Sequence, residues 1–239
     1  MPPVLDWIAA DWMAPASIVA GTTLRTMDDS SLPVPGVPCW MNQVHGVTVI
    51  TAAQFAEPPE ADGLVNGAPG MVCVVRTADC LPVLFCSRDG TVFAAAHAGW
   101  RGLAAGVLEN TVDKMAVDAA ELMAWLGPAI SQPSFEIGDE VRAAFMAHDS
   151  DAEACFAANP RGRWQGDLYA LARQRLTAAG ISEISGGGFC TYLDEDRFHS
   201  YRRDPTCGRM VSFVGPKTLC KQSSSRNFER SLMREVTNQ

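Results

Sequence analysis

Short apolar runs separated by turn signals dominate the first half of the chain. Runs rich in β-branched and other apolar residues at 71–75, 81–86 and 91–96 predict buried strands. Ser87-Arg88-Asp89-Gly90 lies between the last two runs and predicts a hairpin turn. Further strands are predicted at 37–44, 47–51, 122–126, 181–185 and 209–214.

Helical periodicity begins at about residue 102. Apolar side chains recur on one face of 102–117, and 140–147 and 167–179 repeat the pattern, so three helices are predicted. Gly180 follows the last of these segments and is typical of a helix C-terminus. The segment 54–70 is interrupted by Pro and Gly and predicts a loop.

Strands and helices interleave, but the hairpin argues against a purely parallel sheet. The pattern predicts an α/β fold, a single domain over 1–214 with a central mixed β-sheet flanked by helices. Residues 1–36 form an irregular N-terminal region, rich in Pro, Ser, Thr and Asp. The tail at 215–239 carries five Lys and Arg against two Glu and is broken by three serines, which predicts a disordered or loosely docked segment.

Composition narrows the class of protein. With 47% hydrophobic and 19% charged residues the chain is globular, and its net charge of −8 disfavours nucleic acid as a partner. The N-terminus lacks the basic start and apolar core of a signal peptide, and no stretch approaches the roughly 18 apolar residues of a membrane helix. A cytoplasmic protein without membrane association is predicted. Its eight cysteines are then reduced thiols that could bind a metal.

Three potential metal ligands lie where predicted strands meet loops: His45, Cys80 and His97. If the hairpin has a four-residue loop, residue 80 faces residue 97 directly. If Asp89-Gly90 forms a two-residue turn, residue 97 faces residue 82, and Cys80 is a diagonal neighbour at about 7–8 Å. Both registers bring the imidazole and the thiol to a common centre.

Two histidines and one cysteine match a catalytic zinc site, in which the fourth position is left to water or substrate. The same residue types fit other sites. Cys80 activated by His97 would be the nucleophile of a hydrolase, and blue-copper sites also use two His and one Cys. Copper is therefore not excluded by ligand type. A multicopper oxidase is excluded, since it needs about ten histidines and the chain has four. A buried thiol beside unrelated histidines is the remaining alternative.

Longer motifs surround these ligands: Asn42-Gln43-Val44-His45-Gly46, Ala61-Asp62-Gly63, Thr77-Ala78-Asp79-Cys80-Leu81-Pro82, Ala96-His97-Ala98-Gly99-Trp100-Arg101-Gly102, Leu126-Gly127-Pro128-Ala129-Ile130 and Ser200-Tyr201-Arg202-Arg203-Asp204. On these motifs the chain from about 38 to 214 resembles the YfiH-type family, whose members are often labelled laccase-domain or polyphenol-oxidase proteins. The resemblance implies an α/β fold with a central mixed sheet and zinc on the three ligands.

The same resemblance implies a purine nucleoside phosphorylase that acts on adenosine, inosine, guanosine and methylthioadenosine and also deaminates adenosine. Its small-molecule partners are then nucleosides and phosphate. The chain is most similar to the branch called peptidoglycan editing factor. The alternative function is therefore a hydrolase that removes mis-built muropeptide precursors, with Cys80 and His97 as the nucleophilic pair.

The chain departs from the family pattern at both ends. Arg25 is followed by Thr26-Met27-Asp28 instead of the usual Gly-Gly turn, so 1–36 is shortened and part of the substrate pocket is in question. The tail from residue 215 does not match the family. His199 stands where the family favours Phe.

Anionic substrates call for cationic groups near the metal. Four arginines in or beside the matching motifs, which also include Gly208-Arg209, are candidates: Arg76, Arg101, Arg202 and Arg209. Arg76 and Arg101 have the stronger claim because each lies within a turn of a proposed ligand, and Arg101 is interpreted as a catalytic group.

Three further residues are candidates by position. Asp79, beside Cys80, could be a general base or an outer-shell partner of a ligand histidine, or equally a turn residue that caps the backbone. Gln43 could contact base or ribose, or satisfy backbone groups. Cys190 could line the pocket or be a buried structural thiol. Asp62-Gly63 is predicted first as a tight turn and second as a contributor to the site.

Overall fold

Two large β-sheets form the scaffold of residues 6–27 and 32–217, the part of the chain that the computed structural model describes. The first sheet has the spatial order β1 (Trp7–Ala9), β2 (Ile18–Thr23), β14 (Met210–Pro216), β6 (Met71–Thr77) and β3 (Val37–Cys39). The second has the order β13 (Glu183–Gly186), β9 (Leu122–Leu126), β7 (Leu81–Ser87), β8 (Phe93–Ala98), β5 (Gly63–Val65) and β4 (Val49–Thr51). A small third sheet has the order β10 (Glu136–Ile137), β12 (Trp164–Gly166) and β11 (Phe156–Ala158).

Both large sheets are mixed. In the first, β3 runs parallel to β6, and in the second β4 pairs with β5 and β9 with β13 in parallel, while the other pairs are antiparallel. The helices are α1 (Trp100–Ala105), α2 (Val107–Met115), α3 (Asp139–Met146) and α4 (Leu168–Ala178). Short 3₁₀ turns span Ala119–Glu121, Gln132–Ser134 and Ser150–Cys155. The predicted α/β class with mixed sheets is confirmed.

The core has two layers because the second sheet is covered on both faces. Cys73 of the first sheet and Leu84 and Trp125 of the second share one core between the sheets. On the other face Phe85 packs with helical side chains such as Leu108. Double burial explains why the predicted strands at 81–86 and 91–96 are continuous apolar runs, with no polar face to alternate.

The structure corrects the N-terminal prediction. Residues 1–36 are not irregular throughout, because β1 and β2 lie within them and β2 pairs with β14 at the centre of the first sheet. One large central sheet is likewise replaced by two that pack on each other. The local pattern does not predict β2 because its partner β14 lies almost 200 residues away along the chain, and β1 in turn pairs only with β2.

Two predicted elements differ in their bounds. The helix at 102–117 is two helices, separated at Gly106, whose φ of +105° lies in the left-handed region that favours glycine. The predicted loop at 54–70 contains β5. The other predicted helices and strands are found, with ends shifted by a few residues.

The predicted tail begins too early. Gly215 and Pro216 pair with β2, and the Lys217 amide donates to the Ser17 carbonyl at 2.7 Å. The rest of the tail, 218–239, lies outside the described residues, as do 1–5 and 28–31.

We expect a chain ending at residue 217 to keep the wild-type melting temperature. A chain ending at residue 214 should melt lower, because it loses the last pairs between β14 and β2. The cost is about 1–2 kcal/mol, or about 2–8 °C. Thermal unfolding of both truncated chains measures the difference. Equal melting temperatures for both would show that the end of β14 contributes nothing to stability.

Candidate metal centre and active site

The β7–β8 hairpin brings Cys80 and His97 together. In the observed register Pro82 pairs with His97 and Leu81 with Ala98, so the two-residue-turn alternative is the one found. Cys80, immediately before β7, therefore lies diagonally across from His97 near the start of α1. At that point an added Cβ on Gly99 would come within 2.6 Å of His45 Nδ1 and 3.1 Å of Cys80 Sγ. Only glycine leaves room there for the ligands.

His45 reaches the same place from the loop between β3 and β4. Its φ of +59° is unusual for a residue with a side chain. The loop is held by the buried carboxylate of Asp62, which accepts hydrogen bonds from the backbone N–H groups of Val44, His45 and Gly46. The imidazole rings of His45 and His97 meet edge to face, with centroids 4.8 Å apart.

The three side chains form a set that can hold a metal. One ligand atom from each of His45, Cys80 and His97 lies within 4.8 Å of the other two. Nδ1 of His97 is engaged by Asp62 at 2.8 Å, which leaves Nε2 for a metal. Within the described residues the set has three members only, as expected for a site whose fourth position is open.

The electrostatics of the set favour a thiolate. Burial alone would raise the pKa of Cys80, but hydrogen bonds and charge from His45 and His97 lower it to about 6. Burial alone would lower the pKa of His97, but hydrogen bonds to Asp62 and Cys80 raise it to about 9. The contacts with the two histidines therefore favour the thiolate form of Cys80, which is the form that binds metal.

A cavity of about 680 Å³ opens at this set. Beyond the three ligands its walls include Met41, Asn42, Gln43, Arg76, Asp79, Trp100, Arg101, Ile130, Phe135, Leu168, Tyr201, Arg202 and Arg209. All four arginines proposed from the sequence therefore lie on one cavity. The apolar wall from Met41, Phe135, Leu168 and Tyr201 was not predicted, because single apolar residues in separate segments carry no signal in the sequence.

Each of these arginines lies over an aromatic ring. The pairs are Arg76 with Trp40 at 4.0 Å, Arg101 with Trp100 at 4.5 Å, Arg202 with Phe135 at 5.8 Å and Arg209 with Tyr201 at 5.7 Å. Among the residues described, Arg101, Arg202 and Arg209 form no ion pair with a carboxylate. An aromatic face holds a guanidinium without neutralising its charge. The cavity is therefore cationic in a chain whose net charge is −8.

Asp79 is a structural anchor in the wall of this cavity. Its carboxylate accepts hydrogen bonds from Thr191 Oγ1 at 2.6 Å, Ser200 Oγ at 3.0 Å and the Arg202 amide at 2.7 Å. The interpretation of Asp79 as the outer-shell partner of a ligand histidine is wrong, since Asp62 occupies that position. Asp79 instead joins the β6–β7 turn to the segment that carries Arg202.

Gln43 and Cys190 lie in different places relative to the cavity. The Gln43 side chain bonds both backbone groups of Arg76, accepting from its N–H at 2.8 Å and donating to its carbonyl at 2.9 Å. Cys190 lies against Ser131 and Ser134, and it is not among the described residues that line the cavity. Gln43 thus shapes the wall, while Cys190 does not reach it.

Comparison with known proteins agrees with this arrangement. Residues 18–217 match the model of the family described as multi-copper polyphenol oxidoreductase laccase. The chain belongs to this family. It is 46% identical over 237 residues to "Purine nucleoside phosphorylase PA4543" of Pseudomonas aeruginosa, a match that covers 87% of this chain and 97% of that protein.

Two other proteins are also similar to this chain. "Purine nucleoside phosphorylase YfiH" of Escherichia coli is 52% identical over 183 residues, covering 76% of this chain and 74% of its own. The crystal structure of protein NMB0706 of Neisseria meningitidis superimposes with a TM-score of 0.84 at 40% identity and covers 89% of this chain and 99% of its own. The resemblance to YfiH-type proteins is confirmed, and so is the fold.

The multi-copper part of the family's description does not fit this chain. Four histidines are present, and two of them, His148 and His199, lie outside the ligand set. In the described ranges His45, Cys80 and His97 form the sole cluster of potential ligands. The described residues therefore offer no histidine cluster that could hold a trinuclear copper centre. No helix in the ranges 6–27 and 32–217 has the length and apolar character needed to cross a bilayer.

Proposed function

We propose that this chain is a zinc-dependent purine nucleoside phosphorylase that acts on adenosine, inosine, guanosine and methylthioadenosine and also deaminates adenosine. The observation that carries the proposal is the open His₂Cys set at one side of a cationic cavity. The printed names of the relatives from P. aeruginosa and E. coli support a phosphorylase. A cytoplasmic location remains a prediction.

Zinc suits this donor set, because two imidazoles and one thiolate are ligands that it accepts in tetrahedral sites. When bound, zinc supplies Lewis acidity and lowers the pKa of water towards about 7, which is chemistry that both phosphorolysis and deamination can use. Copper accepts the same ligand types. The metal content of the purified protein distinguishes the two ions.

The protein's own groups account for recognition of the co-substrate. Phosphorolysis needs a phosphate held beside the anomeric carbon of the ribose, and guanidinium groups bind phosphate in bidentate fashion. Arg101 and Arg76 are proposed for this role, since both line the cavity next to the ligand set. Asp79 already accepts three hydrogen bonds and is assigned to positioning Arg202 rather than to proton transfer.

The test combines elemental analysis with turnover. We expect about one zinc per chain, formation of adenine from adenosine only when phosphate is present, and formation of inosine without phosphate. Dialysis against a chelator should remove both activities, and added zinc should restore them. Metal-replete protein that converts none of the proposed nucleosides would refute the proposal.

A second function is favoured by the hydrogen bond and charge interaction of Cys80 with His97, because an ionised thiol beside an imidazolium is also the nucleophile of Cys–His hydrolases. The substrate would then be a mis-built muropeptide precursor. This function requires hydrolysis that survives chelation and is lost on alkylation of Cys80. The phosphorylase proposal requires instead that chelation removes activity and that bound zinc protects Cys80 from alkylation. Cys190, away from the cavity, is the internal reference thiol.

A further inference from the structure

One buried carboxylate links the two histidine-bearing segments of the ligand set. Asp62 is completely buried. Its Oδ1 accepts from Nδ1 of His97 at 2.8 Å and from the His45 amide at 3.0 Å. Its Oδ2 accepts from the Gly46 amide at 2.6 Å and the Val44 amide at 3.3 Å. Four donors on two chain segments thus converge on one side chain.

The carboxylate itself is fixed by the backbone. The amides of Asp62 and Gly63 both donate to the Thr48 carbonyl, and the Asp62 carbonyl accepts from the His97 amide at 2.7 Å. A buried charge is stable only when donors surround it, so the arrangement holds as a unit. The hydrogen bonds to Asp62 also stabilise the left-handed backbone conformation of His45, which residues with a side chain rarely adopt.

We propose that Asp62 is a positioning residue that sets both histidine ligands in place before the metal binds. It orients the ring of His97 through Nδ1 and holds the turn that presents His45. The orientation of one ligand is thereby coupled to the backbone of the other. This inference rests on the proposed metal centre and adds to it a residue that neither the ligand spacing nor the cavity indicates.

Asparagine has nearly the size of aspartate but lacks its negative charge and one of its two acceptor oxygens. Asp62→Asn therefore tests the charge and the acceptors while the volume is kept. An amide has one acceptor oxygen and one NH₂ group, so it cannot accept on both sides. If its oxygen faces His97 and the His45 amide, its NH₂ faces the N–H groups of Val44 and Gly46. In the opposite orientation the NH₂ faces Nδ1 of His97. The first orientation leaves the Val44 and Gly46 amides of the turn that presents His45 without an acceptor. The second leaves both His97 Nδ1 and the His45 amide without one.

Asp62→Asn is therefore expected to weaken zinc binding by about 10–100-fold. The measurement is competition with a chromophoric chelator, using zinc alone as the probe. Asp89→Asn is the matched control, because Asp89 also accepts several turn hydrogen bonds but lies in the 87–91 turn away from the ligands. The d–d absorption of the cobalt(II)-substituted protein should change in Asp62→Asn and stay unchanged in Asp89→Asn.

Folded Asp62→Asn protein with the wild-type zinc affinity and cobalt spectrum would overturn the inference while leaving the metal centre intact. Wild-type protein that binds no zinc would instead refute the metal centre, and this inference with it. Amide hydrogen exchange of metal-free wild-type protein gives an answer even if the variant does not fold. Protection of the Val44, His45 and Gly46 amides before zinc is added is expected. Exchange at the rate of an open loop would contradict the proposal.

Discussion

Replacement of His45, Cys80 or His97 should abolish both phosphorolysis and deamination and remove bound zinc. Three ligands leave no redundancy, and loss of the Lewis acid costs several kcal/mol of transition-state stabilisation, a fall of at least about a thousandfold in rate. The measurement is turnover of adenosine together with zinc content. His148→Ala removes an exposed histidine outside the set and should change neither.

The choice of replacement separates metal loss from unfolding. Alanine at His45 would strain a backbone with φ of +59°, so His45→Gly removes the imidazole at lower conformational cost. Alanine at His97 would leave the buried Asp62 carboxylate without one donor, at about 1–3 kcal/mol. His97→Asn should destabilise the fold less, because the asparagine amide can still donate to Asp62. The variant nevertheless lacks the Nε2 atom that would bind the metal. A folded variant of this kind that keeps full zinc and full activity would remove that residue from the site.

Replacement of Arg101 by alanine should weaken phosphate more than nucleoside. A charge-assisted hydrogen bond contributes about 1.5–3 kcal/mol, so the apparent KM for phosphate should rise by roughly ten- to a hundredfold. Deamination uses water and should lose far less. The fold should survive, since Arg101 forms no ion pair with a carboxylate of the described residues and its removal leaves none of them unpaired.

Two further variants sharpen this comparison. Arg101→Lys keeps the charge but loses the planar bidentate donor, so an intermediate KM is expected. Arg142→Ala removes another arginine that lies over an indole ring, 4.4 Å from the Trp164 centroid, but outside the cavity lining. It should leave the phosphate KM unchanged. An equal loss of phosphorolysis and deamination in folded, zinc-replete Arg101→Ala would exclude Arg101 as the phosphate group and turn attention to Arg76 or Arg209.

Local patterns were sufficient to predict that Cys80 and His97 lie together, whereas the family resemblance was needed to favour a metal site that also includes His45. Histidines are scarce in this chain, and a hairpin turn limits its two strands to a few registers, so Cys80 and His97 could be placed together from residue numbers alone. Continuous apolar runs predicted β7 and β8 for the same local reason. The helices at 140–147 and 167–179 followed from a period that a helix repeats within its own length.

The tertiary structure alone decided which carboxylate supports the ligands and how the cavity is walled. Asp79 is next to Cys80 in sequence, yet Asp62 contacts His97, because the pairing of β5 with β8 brings a distant turn beside the ligand. The strands β1 and β2 depend on β14, whose contact with them is not encoded in any local period. Adjacency in sequence and short-range periodicity determine elements and their ends. Pairing between remote segments is set by the packing of the whole core, and so are the side chains that meet there.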